Sequence, residues 1–113
     1  MKILTLTTDE ELSRLRENIL KAAGHTVLAL STEKHAQQVV EGNDRFDVAV
    51  ICHRFPAGAA RQCIRLLRHK DRNIKTVYLT HLSGEWPDVE ADRYVVGAEG
   101  PEALLRVLAE LGK

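Results

Sequence analysis

The middle of the chain holds an unbroken apolar run, Val48-Ala49-Val50-Ile51-Cys52, which Phe46-Asp47 precedes and His53-Arg54-Phe55-Pro56 follows. The run does not alternate between apolar and polar residues, and its valines and isoleucine favour a β-strand. A strand of this kind is covered on both faces, as in the middle of a parallel sheet. We therefore predict that residues 48–52 form a central strand.

On both sides of this run, short extended stretches alternate with segments of helical spacing. The extended stretches predict further strands over residues 2–7, 25–30, 74–80 and 94–96. Apolar residues three or four positions apart predict helices over residues 12–22, 32–42 and 57–69 and from residue 101 onward. A capping box formed by Thr8 and Glu11 is expected to begin the first helix. Residues 81–90 contain Gly and Pro and have poor helical periodicity, which predicts a shortened or irregular fourth helix.

Five strand–helix units predict an α/β fold with a parallel sheet and right-handed crossovers. The common strand order for five units is 2-1-3-4-5, with helices on both faces, and we expect a single domain over residues 1–113. In such a sheet, ligands bind outside the carboxyl ends of the strands, here between strands one and three. The residues predicted at that edge are Thr7, Thr8, Asp9, Cys52, His53, Thr80, His81 and Gly97.

Composition excludes several classes of function. The 113 residues contain 16 basic and 16 acidic side chains, so bulk charge attraction to nucleic acid or to an anionic membrane is not expected. No apolar run approaches the roughly 18 residues of a membrane span. Two cysteines are too few for a disulfide scaffold, and the sequence predicts a cytoplasmic protein. The Cys and His residues lack metal-ligand spacing, so we expect no metal and no cofactor.

The stretch 46–56 resembles the third strand and following loop of the receiver domain of bacterial response regulators. Thr80 falls where that family keeps a Thr or Ser, and Tyr94 falls where it keeps a switch aromatic. The resemblance extends over the whole chain by element order. It implies a flavodoxin-like fold and a role in two-component, or phosphorelay, signalling.

The resemblance also implies that most of the family's chemical residues are replaced in this chain. The position of the phosphate-accepting aspartate holds Cys52, and the acidic pair that binds Mg²⁺ is replaced by Thr7 and Thr8, with Asp9 the nearby carboxylate. The lysine that contacts the phosphoryl group is replaced by Gly97. Because Mg²⁺ usually requires one or two carboxylates, we expect a non-enzymatic pseudo-receiver that neither binds Mg²⁺ nor is phosphorylated on Asp.

Cys52 has alternative interpretations. It is a buried thiol at the end of a strand, or it is the centre of a thiol-based redox sensor or small enzyme, with Arg54 and His53 lowering its pKa. The phosphatase signature requires an Arg six positions after its Cys, and Gly58 occupies that position here.

Two surfaces are candidates for a partner. Arg61, Arg65 and Arg68 follow helical spacing and form a solvated helix face, a docking surface for an acidic protein, or a nucleic-acid contact. Nucleic acid is disfavoured because no aromatic residues are interleaved with the basic positions. Trp86 either covers the sheet edge or, with Tyr94, anchors a protein partner or a homodimer on the surface of the fourth and fifth units.

Overall fold

The structure of the protein is a computed structural model that describes residues 1–81, 89–96 and 100–112. Its strands are β1 Lys2–Leu6, β2 Thr26–Leu30, β3 Val48–Cys52, β4 Lys75–Thr80 and β5 Arg93–Val96. Its described helices are α1 Glu10–Ala22, α2 Glu33–Glu41, α3 Ala57–Lys70 and α4 Pro101–Leu111. All strand pairs are parallel, in the order β2-β1-β3-β4-β5. The predicted fold class and strand order are confirmed.

Strand β3 lies at the centre of the sheet because all of its side chains are apolar and buried. Each of its five residues is at most 1% exposed. Ala49 and Ile51 face one core layer, whereas Val48 and Val50 face the other. Since helices cover both layers, no polar position is needed in the strand, which explains the unbroken apolar run.

The helices lie on both faces of the sheet, as predicted. Helices α2 and α3 cover the core layer that contains Ala49. They contact it through small and aliphatic residues, among them Val40 and Ile64. Helices α1 and α4 cover the other layer through Leu20 and Leu108. In the chain as described, no helix is long and apolar enough to cross a membrane.

Helix α1 does not begin with the predicted capping box of Thr8 and Glu11, so that prediction is wrong. Asp9 is the N-cap, and its carboxylate accepts hydrogen bonds from the backbone N–H groups of Glu11 and Leu12. The Thr8 hydroxyl instead donates to the backbone carbonyl of Arg54. The carboxylate is the stronger cap, because the N–H groups and the helix dipole both favour negative charge there.

The irregular fourth helix was predicted over residues 81–90, of which residues 82–88 lie outside the described residues. The elements on either side of it are well defined. Strand β4 ends at Thr80, and strand β5 pairs with it from Val77↔Arg93 to Thr80↔Val96. Strand β5 is thus an edge strand, and β3 and β4 bring their carboxyl ends to the same side as that of β1.

Candidate functional site at the carboxyl edge of the sheet

The carboxyl ends of β1, β3 and β4 bring together most of the residues predicted for the site. We call this group the rim: Thr7, Thr8 and Asp9 after β1, Cys52, His53 and Arg54 at the end of β3, and Thr80 and His81 at the end of β4. Contacts between the Thr8 hydroxyl and the Arg54 carbonyl, and between the rings of His53 and His81, join the three loops. Gly97, which was predicted to complete this edge, lies outside the described residues.

Asp9 supplies the carboxylate of the rim, and both of its oxygens are engaged within the protein. Oδ1 accepts from the N–H of Glu11 at 3.0 Å and from the N–H of Leu12 at 3.1 Å. Oδ2 accepts from Nη1 of Arg54 at 3.2 Å, in an ion pair whose carboxylate is 29% exposed. Arg54 therefore supplies the positive charge opposite Asp9.

The two threonines after β1 are both hydrogen bonded, and Thr8 ties the loop after β1 to the loop after β3. The Thr8 Oγ1 donates to the Arg54 carbonyl at 2.7 Å. The Thr7 side chain is 1% exposed, and its Oγ1 accepts from the N–H of Asp9 at 3.3 Å. Arg54 is thus held twice, through its backbone by Thr8 and through its guanidinium by Asp9. This role of Arg54 was not predicted from the sequence, although its place two residues after Cys52 put it beside the site.

Cys52 is completely buried at the end of β3. Its Sγ lies 3.7 Å from Nδ1 of His53. The backbone N–H of His53 donates to the carbonyl of Leu79 at 2.9 Å, which fixes the start of the loop. The His53 ring centroid lies 5.0 Å from that of His81, with the two planes inclined by 41°. The position that the resemblance assigns to a phosphorylated carboxylate is therefore held by the Cys52 thiol, with the His53 imidazole beside it.

The environment of His53 disfavours its charged form. Burial lowers the pKa of His53, and the positive charges of His81, Arg54 and Arg16 lower it further. The hydrogen-bonded backbone at Leu79 opposes this shift without reversing it. His53 is therefore neutral near pH 7 and does not supply an imidazolium beside Cys52.

Among the described residues of the rim, Asp9 is the only carboxylate that could act as a ligand for a cation such as Mg²⁺. This ion prefers hard oxygen ligands in octahedral geometry, usually with one or two carboxylates. The carboxylate of Asp9 is committed to the helix cap and to Arg54, and the other chemical groups beside it are a thiol, imidazoles and hydroxyls. Over residues 1–81, 89–96 and 100–112, no cluster of three or more His, Cys, Asp or Glu residues could hold a metal ion.

The two switch positions named by the resemblance lie on adjacent strands. Thr80 is 5% exposed, and its hydroxyl donates to the carbonyl of Val95 at 3.4 Å. Tyr94 is 47% exposed, and its hydroxyl donates to the carbonyl of Val89 and accepts from the N–H of Ala91, each at 2.9 Å. The Tyr94 hydroxyl is therefore bound to the segment that leads into β5.

The three arginines of the predicted partner face have different environments. Arg61 and Arg65 are exposed on α3. The Arg68 Nη2 instead donates to the Thr76 hydroxyl at 3.2 Å and lies 3.5 Å from the Asp92 carboxylate. Arg68 thus ties α3 to β4 and to the residue before β5. Trp86, the other predicted partner residue, lies outside the described residues.

Comparisons with solved structures agree on the fold. A response regulator receiver protein from Sinorhizobium medicae WSM419 is 26% identical to this chain, with a TM-score of 0.81 over 98% of this chain and 93% of that one. The chemotaxis response regulator CheY4 of Vibrio cholerae is 20% identical, with a TM-score of 0.80 and 97% of both chains covered. The receiver domain of the sensor histidine kinase PA1611 of Pseudomonas aeruginosa PAO1, solved with a magnesium ion coordinated in its active-site cleft, is 20% identical, with a TM-score of 0.80 and coverage of 99% and 98%.

Neither the protein-family models nor the curated proteins provide a match to the chain. The structural similarity nevertheless covers nearly the whole chain and gives the same strand order. The chain therefore has the flavodoxin-like fold of response regulator receiver domains, and the resemblance seen in residues 46–56 is confirmed at the level of the fold.

Proposed function

We propose that this chain is a pseudo-receiver: a single non-enzymatic domain over residues 1–113 that acts in two-component signalling by binding a protein, without an aspartyl-phosphate cycle. The observation that carries the proposal is the ion pair between Arg54 and Asp9. It places a fixed guanidinium beside the carboxylate of the rim, where a receiver that binds Mg²⁺ needs unpaired negative oxygens.

The residues at the acceptor position support the same proposal. Phosphoryl transfer depends on positioning the acceptor and on stabilising charge, since the protein contributes little covalent chemistry. Here the acceptor position holds the buried thiol of Cys52, and the acidic positions hold hydroxyls that are already hydrogen bonded. The resemblance places Gly97 where a lysine would contact the phosphoryl group.

The recognition surface that we propose is the side of the fourth and fifth units. Strand β5 is an edge strand, and Tyr94 presents an exposed ring on it while its hydroxyl stays hydrogen bonded. An aromatic residue of this kind is a common anchor in protein interfaces. The exposed Arg61 and Arg65 on α3 are a second candidate surface, suited to an acidic protein partner.

The alternative function, a redox sensor or small enzyme centred on Cys52, has less support. The 3.7 Å contact with His53 is the observation in its favour. However, the lowered pKa of His53 leaves that imidazole uncharged, and the thiol is completely buried. A reactive cysteine needs a positively charged and accessible environment.

The proposal is tested by incubating the protein with Mg²⁺ and a small phosphodonor and measuring its intact mass, with a functional receiver domain treated in parallel. We expect the control domain to gain the mass of a phosphoryl group and this protein to remain unmodified. A stable phosphoryl adduct on an Asp or on Cys52 would refute the proposal.

A Cys52→Asp variant restores a carboxylate at the acceptor position and leaves the surrounding residues unchanged. It therefore tests whether the missing acceptor alone prevents phosphorylation. We expect this variant to remain unmodified as well, because Arg54 still engages Asp9 and Thr7 and Thr8 still occupy the positions that the resemblance assigns to the acidic pair. Phosphorylation of Cys52→Asp would show that the rim supports the transfer once an acceptor is restored. That result would contradict the argument from Mg²⁺ ligands.

A further inference from the structure

A pocket of about 130 Å³ lies where α1 and α4 meet over the carboxyl-terminal parts of β4 and β5. Four of the residues that line it are buried side chains of the core layer that these helices cover: Leu20, Leu79, Val95 and Leu104. An apolar cavity of about 150 Å³ stays free of water and binds a molecule as large as benzene. The pocket therefore has room for one apolar group of about the size of an aromatic ring.

One face of α1 extends the pocket toward solvent. Leu12, Leu15 and Ile19 lie on this face, because residues three or four positions apart in a helix are neighbours on its surface. Leu15 is 55% exposed, whereas Leu12 and Ile19 are half-buried. Covering the exposed part of Leu15 with an apolar group would be favourable, since it removes apolar surface from water. The pocket is therefore accessible from solvent and apolar along its length on α1.

Arg16 is the charged side chain among the described residues that line this pocket. It is half-buried, and it forms no ion pair with another described residue. Gly100 and Pro101, at the start of α4, line the same pocket, whereas the exposed Glu102 of that turn does not. In the structure as described, no side chain caps α4, so its first N–H groups and its dipole favour a negative group nearby. Two separate elements thus bring positive potential to an otherwise apolar pocket.

From this combination we propose that the pocket binds a small apolar carboxylate. The aromatic or branched aliphatic body of the ligand lies among the leucines, and its carboxylate lies at Arg16 beside the first turn of α4. A guanidinium presents paired N–H donors that match the two oxygens of a carboxylate. Small-molecule sites commonly combine an apolar lining with a few polar groups that fix the orientation of the ligand.

The size of the pocket favours a small molecule over a docked polypeptide. A docked helix needs a groove that accepts several side chains at helical spacing, whereas the described lining forms one pocket of about the size of a ring. The proposal goes beyond the proposed function and does not rest on it, because neither the acceptor position nor the acidic-pair positions line this pocket.

Sodium phenylacetate is a suitable probe, because it joins one ring to one carboxylate that is ionised at about pH 7. The methyl signals of the full chain would be followed by NMR during a titration to about 10 mM at constant ionic strength. We expect saturable shifts of the Leu15 and Leu104 methyl signals, with a Kd of about 1 mM or tighter for a ligand of about ten non-hydrogen atoms. Nuclear Overhauser contacts from the ring protons to these methyl groups would locate the ligand. The signals of Val40, in the opposite core layer, should not move.

Two arginines on α1 provide matched variants, and phenylacetamide provides an uncharged ligand of nearly the same shape. Arg16→Gln removes the proposed partner of the carboxylate, whereas Arg14→Gln removes an exposed arginine of the same helix that does not line the pocket. We expect Arg16→Gln to weaken phenylacetate binding at least about threefold, and Arg14→Gln to leave it unchanged. Neither substitution should change the binding of phenylacetamide, which should bind the parent protein at least about threefold more weakly than phenylacetate. The comparison of the two ligands on the parent protein requires no substitution.

Several outcomes would overturn the proposal. The first is the absence of saturable shifts up to about 10 mM phenylacetate, and the second is equal binding of phenylacetate by the parent and by Arg16→Gln. Binding of phenylacetamide as tight as that of phenylacetate would instead indicate a pocket for an uncharged side chain of a protein partner. Shifts of the Leu12, Leu15 and Ile19 signals with protein concentration alone would indicate a second copy of the chain as the occupant. Each of these results leaves the proposed function standing, since that function is tested by the phosphoryl adduct.

Discussion

Cys52 is the residue at which the chemistry of the chain departs most from that of a phosphorylated receiver. The resemblance places an aspartate here, and the structure shows a completely buried thiol that contacts a neutral imidazole. The other cysteine, Cys63, is buried in the helical layer of α3. Burial raises the pKa of Cys63 to about 11, with a further contribution from the negative charge of Glu33. Both thiols therefore have the environment of structural cysteines.

The residue-scale prediction is slow alkylation of both cysteines in the folded protein. With its pKa raised to about 11, Cys63 should react with iodoacetamide at about pH 8 roughly two orders of magnitude more slowly than a free thiol, because little thiolate is present. Cys52 should react at least about tenfold more slowly than a free thiol because it is inaccessible. Peptide mapping by mass spectrometry measures each rate, and unfolding in urea should restore both. Fast, selective labelling of folded Cys52 would favour the thiol-based alternative.

At the scale of the elements, the entry into β5 is held by a polar joint of Asp92, Arg68 and the buried Thr76. Asp92 precedes β5, and its Oδ2 accepts from the N–H and the hydroxyl of Thr76, at 2.8 Å and 3.1 Å. Arg68 approaches the same oxygen from α3 at 3.5 Å. Burial alone would raise the pKa of Asp92, but the hydrogen bonds from Thr76 and the charge of Arg68 outweigh it and lower that pKa.

The element-scale prediction is that Asp92→Asn destabilises the protein in a pH-dependent way. At about pH 7 we expect Asp92→Asn to lower the free energy of unfolding by about 1 kcal/mol. This value is at the low end for a charge-assisted hydrogen bond, because the Asp92 side chain is 37% exposed. Because folding lowers the pKa of Asp92, the ionised group stabilises the fold above the unfolded-state pKa of about 3.9. This contribution is lost as the pH falls through the folded-state pKa, so the difference between variant and parent should disappear in acid.

Urea denaturation at several pH values measures this effect, and Asp44→Asn is a suitable control. Asp44 is 60% exposed and forms a surface ion pair with Lys2 at 3.8 Å, so its substitution should change stability by less than about 0.5 kcal/mol. If Asp92→Asn behaved like Asp44→Asn at neutral pH, the joint would not contribute to the stability of β5.

At the scale of the whole molecule, hydrophobic periodicity was enough to predict the strands, the helices and the two layers, whereas the strand order was predicted as the common one for five strand–helix units. The run 48–52 has no polar residue because both of its faces are covered, and that single property places β3 in the centre of the sheet. The joint of Arg68, Thr76 and Asp92 could not be predicted, because it depends on the register of α3 against two strands. The cap of α1 was predicted wrongly, because the spacing of Thr8 and Glu11 matched a capping box, whereas the stronger cap Asp9 begins the helix and the Thr8 hydroxyl bonds to the Arg54 carbonyl.

The whole-molecule prediction concerns self-association through the fourth and fifth units. Two large apolar side chains are strongly exposed in the described structure, Tyr94 on β5 and Leu15 on α1, at 47% and 55%. They belong to different surfaces, so truncating each one distinguishes an interface at β5 from one at α1. We expect the parent protein to form a dimer at high concentration, and Tyr94→Ala and Trp86→Ala to shift it toward the 12.7 kDa monomer.

Light scattering over a concentration series is the measurement, with Leu15→Ala as the matched control. Leu15→Ala should leave the dimer intact. Helices α1 and α4 together cover one face of the sheet, and α1 does not lie on the β5 edge. Loss of the dimer in Leu15→Ala alone would place the interface on α1, contrary to the proposal. A monomer at every concentration would exclude a homodimer, and a separate protein would then have to occupy the surface around Tyr94.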